Sequence, residues 1–222
     1  MADDEIQAGW RWTLAAAAIG ATTSGVLTSG LGLDRYAFVA IWAVIVLAFW
    51  FAFSRRHGAN LRTQFGRHLA GGLVIGTGIG AVLAWTVGRQ PASPALTGST
   101  LAFDLVWLGA VYGTVDALIL AIIPVLALYG TRSVDGARST RGRLRSAAAA
   151  LAGSAVITAG YHMGFREFQG PQLVLPVLGG ALTTVAYLLS GSIVAPILAH
   201  VMMHAAAVLH GAATTVQLPP HY

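Results

Sequence analysis

Seven stretches of this chain are too long and too apolar to be left in water, and they restrict the fold more than any other feature. They run from Trp10 to about Gly30, Tyr36 to Phe53, Leu69 to about Gly88, Leu101 to Gly130, Ser146 to Phe165, Leu173 to Leu189 and Ile193 to about Val216. Hydrocarbon offers no hydrogen bonds, so a spanning segment must pair its own backbone groups as a helix or close into a barrel. None of the stretches alternates apolar and polar residues as a barrel strand does. The expectation is therefore an all-α, polytopic transmembrane helix bundle of about seven spans, with residues 1–222 as a single integral membrane domain in the lipid bilayer of the cell membrane.

Composition supports this reading. Of 222 residues, 56% are apolar and only 9% are charged, and the mean hydropathy is +0.70, outside the range of a soluble domain. Cysteine is absent, which excludes disulfides, a thiolate nucleophile and cysteine-held metals or clusters. The formal net charge is +5, but in such a chain the arginines are read as markers of cytoplasmic loops, and nucleic acid is not an expected partner. With seven spans, Arg11, Arg55, Arg56, Arg62, Arg67, Arg132, Arg138, Arg141, Arg143 and Arg145 fall on one side. Arg35, Arg89 and Arg166 fall on the other. The N-terminus is then expected in the cytoplasm and the C-terminus outside. The start, MADDEIQ, is acidic and polar and does not read as a cleavable signal peptide.

Two details of the spans carry structural expectations. Gly72, Gly76 and Gly80 repeat at a spacing of four, a small-xxx-small stripe that lets another helix approach closely. The GTGIG within it follows no strand, so helix packing is preferred over a phosphate loop. The fourth stretch, Leu101 to Gly130, exceeds what the hydrocarbon core requires and is expected to tilt, to break near Gly113 or Pro124, or to project beyond the bilayer. Asp104, near its start, is expected to be interfacial and solvated.

The polar residues inside the apolar stretches are few. Asp116 lies mid-span, where an ionised carboxylate costs on the order of 2.5–3.5 kcal/mol, so it is expected to face a wet cavity or a partner. His162 ends the fifth stretch. His200 and His204, four residues apart in GSIVAPILAHVMMHAAAVLH, share one helix face one turn apart. His210 is rotated off that face. A single membrane histidine is ordinarily a helix-to-helix hydrogen bond; an acid and three imidazoles on three helices point to a convergent site. Such a set can activate water and protonate a leaving group, or hold a divalent metal. The histidines can also be read as ligands to a metal, haem or pigment.

These residues resemble the CAAX-protease and bacteriocin-processing (CPBP) family of intramembrane proteases. That family carries Glu-Glu-x-x-x-Arg on one helix, Phe-x-x-x-His on a later one and His-x-x-x-Asn, or Asp, on the last. GSIVAPILAHVMMH looks like the family's final helix, with Pro196 in the first turn, His200 in the motif position and His204 where the Asn stands. ITAGYHMGF is similar to the middle motif, with His162 matching and Thr158 in place of Phe. GTVDALILA aligns with the first so that Asp116 takes the first Glu, Ala117 the second and Ala121 the Arg. The resemblance spans Leu101 to about Gly211. It implies Asp116 as the water-activating carboxylate, His162 as its partner, and His200 with His204 as an oxyanion-stabilising pair. The implied substrate is a peptide bond near the membrane. The broken first motif equally fits a member that has lost catalysis and serves as a membrane scaffold, chaperone or subunit beside another membrane protein.

Overall fold

The computed structural model describes residues 2–57, 61–130 and 139–219, and among these every regular element is helical. The chain runs as α1 (Ala2–Ser24, extended by a wider turn over Gly25–Gly30), α2 (Arg35–His57), a short α3 (Leu61–Gly66) and α4 (Leu69–Val87). It continues as α5 (Gly98–Tyr129), α6 (Thr140–Met163), α7 (Val174–Ser190, preceded by a 3₁₀ turn over Gly170–Leu173) and α8 (Val194–Gly211). Five of these helices, α2, α4, α5, α7 and α8, are long and apolar enough to cross a membrane. Large apolar side chains such as Val44, Phe51, Val74, Trp85 and Leu178 face outward on them. In water that outer surface would be untenable, and against lipid it is the expected one. The molecule is an α-helical membrane protein.

Helix α5 is the axis of the bundle. In its most apolar window 83% of residues are buried, against 28% to 44% in the other four. The expected break at Gly113 or Pro124 does not occur. The helix stays continuous over its 32 residues by widening locally to i→i+5 hydrogen bonds, as from Tyr112 N–H to Trp107 O and Gly130 N–H to Val125 O. Such widening frees carbonyls from the ordinary ladder, and turns of this kind recur at functional sites. One carbonyl in a widened turn, that of Leu120, accepts from the Ser154 hydroxyl of α6 at 2.7 Å. Thr184 of α7 in turn donates to Ser154 at 2.8 Å, so three helices meet on one hydrogen-bond chain. Gly130, with φ of 75°, ends the helix in a conformation disfavoured for other residues.

The glycine stripe packs within the molecule. A Cβ at Gly72 would meet Ser192 at 2.6 Å, one at Gly76 the Ala195 backbone at 2.8 Å, and one at Gly80 Met202 at 2.7 Å. Helix α4 therefore lies on α8 along its small residues and fixes the helix that carries His200 and His204. On an adjacent face of α8, a Cβ at Gly113 of α5 would come within 2.9 Å of the Val201 backbone. These close approaches bring α5 and α8 to the separation that the site requires.

Two expectations are corrected. Asp104 is not a solvated interfacial residue: it is 2% exposed, and its Oδ2 accepts from the Tyr36 hydroxyl at 3.4 Å, because α2 and the start of α5 pack there. The last helix ends at Gly211 instead of running to about Val216. The residues after it fold back over the bundle end, and Leu218 is buried within it. Helices α1 and α6, expected as spans, form as long helices but fall short of the apolarity of the other five. They pack on each other through small residues, with Gly160 against Ala17 and Gly20 against Tyr161. Arg132, Arg138 and residues 220–222 lie outside the described residues.

Candidate active site

Asp116 sits on the α-helical turn Tyr112–Ala117 of α5, between two widened turns. The residue is 3% exposed. Oδ1 accepts a hydrogen bond from the indole Nε1–H of Trp42 on α2 at 2.9 Å, and Oδ2 stands 3.7 Å from Nε2 of His204 on α8. A separation of 3.7 Å is an ion-pair distance and too long for a direct hydrogen bond. Both His204 ring nitrogens are buried without a hydrogen-bond partner. A buried acid and an uncommitted base thus stand side by side, too close to hold a molecule between them, and a small polar molecule can contact both from the cavity they line.

The four residues singled out in the sequence line one cavity of about 590 Å³. Asp116 and His204 are brought into direct opposition. His200, one turn earlier on α8, stacks with His204 at a ring separation of 6.2 Å. His162 reaches the same cavity from α6, packed edge-on against Phe168 at 4.8 Å. It is His204, not His162, that faces the carboxylate most closely, which departs from the pairing implied by the resemblance. The cause is the close approach of α5 and α8 at Gly113.

Two imidazoles have their tautomers set by the backbone. His200 Nδ1 lies 3.0 Å from Pro196 O, and His162 Nδ1 lies 2.8 Å from Thr158 O. A carbonyl can only accept, so each Nδ1 carries the proton, and each neutral ring presents an Nε2 lone pair elsewhere. In that state neither ring can donate to an oxyanion.

Sequence reasoning missed three members of the site. Trp42 donates to the acid; its signal was a tryptophan deep in the most hydrophobic stretch, far from the interface where its N–H is ordinarily hydrated. Tyr112 lies four residues before Asp116, hence on the same face, and its ring packs against His204 at 4.6 Å. Its hydroxyl bonds that of Tyr161 at 2.8 Å, and Tyr161 stacks on Trp42 at 4.7 Å with an interplanar angle of 12°. This aromatic wall holds Trp42 in place. His210, the possible extra histidine, is outside the cluster: its Nε2 lies 2.8 Å from Gln90 O and anchors a loop.

Among the described residues, no three His, Asp or Glu side chains are grouped as a metal ion requires. The arrangement is an apolar cavity with a few converging polar groups. No family model matches the chain, and neither a curated protein nor a solved structure matches it.

Proposed function

We propose that the protein is a CPBP-like intramembrane hydrolase that cleaves a peptide bond presented at the membrane. The observation that carries this reading is the 3.7 Å gap between Asp116 Oδ2 and His204 Nε2 in the wall of a cavity. A water seated in the cavity against both groups donates a proton to Asp116 Oδ2 and attacks the substrate carbonyl with its oxygen lone pair. His204, free at both nitrogens, takes that proton from Asp116 on Nε2 and delivers it to the departing amine as the carbon–nitrogen bond breaks, which returns both groups to their starting states. One water and one peptide become a carboxylic acid and an amine. Trp42 holds Oδ1 so that Oδ2 stays aimed at that water, a positioning role. The lone pairs of His162 and His200 suit substrate N–H groups in the same cavity.

The order of acid and histidines along the chain supports the CPBP-like assignment, with Asp116 in the place of the family's first Glu. The arginine asymmetry supports a cell-membrane orientation with the N-terminus in the cytoplasm and the C-terminus outside. The test is turnover. Purified protein in detergent or vesicles, incubated with a library of membrane-anchored peptides, is expected to yield cleaved products by mass spectrometry, and Asp116→Asn is expected to lose about 10²-fold or more in rate. Activity should survive a chelator; loss of turnover on chelation with rescue by added zinc would replace this reading with a metal-dependent one.

A further inference from the structure

The residues after α8 do not leave the molecule. Thr214, Val216, Gln217, Leu218 and Pro219 line the same cavity as Asp116 and the three histidines. Their attachment is specific. Gln90, in the turn after α4, accepts with Oε1 from the backbone N–H of Val216 at 3.0 Å and donates with Nε2 to Gln217 Oε1 at 2.8 Å. One residue on, Pro91 O accepts from the Thr214 hydroxyl at 2.5 Å. Leu218 follows these contacts into the bundle and is 2% exposed.

One main-chain N–H, one side-chain amide and one hydroxyl of this turned segment are held by fixed polar partners, with an apolar side chain seated in a pocket beyond, a combination that suits capture of a peptide. Gln90 reads a main-chain N–H and therefore tolerates many sequences, while the Leu218 seat selects for a bulky apolar side chain. We propose that Gln90 and Pro91 form the peptide-binding edge of this cavity, and that residues 214–218 occupy it as an internal peptide that a substrate segment with a leucine-like side chain must displace. The word substrate here rests on the hydrolytic reading; binding to the edge does not.

The absence of cysteine from the chain makes the test direct. A single reporter, Thr158→Cys, lies on the cavity wall at a side chain whose hydroxyl has no partner, and Met203→Cys gives a second reporter in the same cavity. In the full chain, labelling of the reporter by a water-soluble methanethiosulfonate should accelerate about tenfold when Gln217→Ala loosens the segment, on the scale of lost hydrogen bonds. Added peptide ATTVQLP, amidated and acetylated, should restore protection. The same peptide with aspartate at its leucine should not, and Gln90→Ala should abolish the protection that ATTVQLP gives. Equal labelling with and without Gln217→Ala, or faster labelling that ATTVQLP does not slow, would overturn the proposal. None of these readings requires turnover, so their failure is distinct from failure of the hydrolytic one.

Discussion

Asp116 carries a charge-bearing group where insertion costs on the order of 2.5–3.5 kcal/mol, and the side chains around it answer that cost with one indole donor and one imidazole. Asp116→Asn keeps an oxygen for Trp42 and nearly the same volume, so thermal stability should change little while turnover falls about 10²-fold or more. A comparable fall in melting temperature would mean that the residue is structural. Trp42→Phe removes the donor but keeps most of the ring that stacks on Tyr161. A positioning role predicts a fall in kcat of about tenfold with KM nearly unchanged, on the scale of a hydrogen bond to a charged group. A rise in KM alone would contradict it. His162, His200 and His204 were readable because polar groups in apolar stretches are conspicuous. Trp42 and Tyr112 were not, since an aromatic in a hydrophobic run looks like any other packing residue until its partner is known.

Helix packing explains why these side chains meet. Gly76 and Gly113 each lie where an added Cβ would come within 3 Å of the α8 backbone, and backbone cannot shift as a flexible side chain can. Gly76→Leu should therefore lower stability by about 1–3 kcal/mol and reduce turnover by moving α8, measured by thermal unfolding in detergent alongside activity. An unchanged melting temperature would place α4 elsewhere. Ser154→Ala leaves the Leu120 carbonyl without its hydroxyl donor and should cost about 1–3 kcal/mol, read in the same unfolding experiment; a neutral outcome would show that the widened turn needs no support. The glycine spacing announced close packing but not the partner, which is α8 inside the molecule, so the stripe is not a free surface for another protein. Asp104 was misjudged because its position near a helix start suggested water, whereas Tyr36 of α2 covers it.

Across the whole molecule, hydropathy alone defined an all-helical membrane bundle, because apolar segments of this length have few other solutions. It did not distinguish the five strongly apolar helices from α1 and α6, which lean on each other through small residues. Nor could it show that the chain beyond Gly211 returns to the cavity, since a polar tail carries no periodicity that marks where it docks. Orientation is testable on the cysteine-free chain: a cysteine at Phe65, exposed on α3, should label only from the cytoplasmic side, and one at Ala92 only from outside; the reverse pattern would invert the bundle. The central claim, that Asp116 and His204 activate water in the cavity they line, is tested most directly by cleavage of a membrane-anchored peptide library in water enriched in oxygen-18. Wild-type protein should place one heavy oxygen in each new carboxyl terminus, with Asp116→Asn and His204→Ala each nearly silent, whereas equal cleavage by all three proteins, or no cleavage by any, would contradict it.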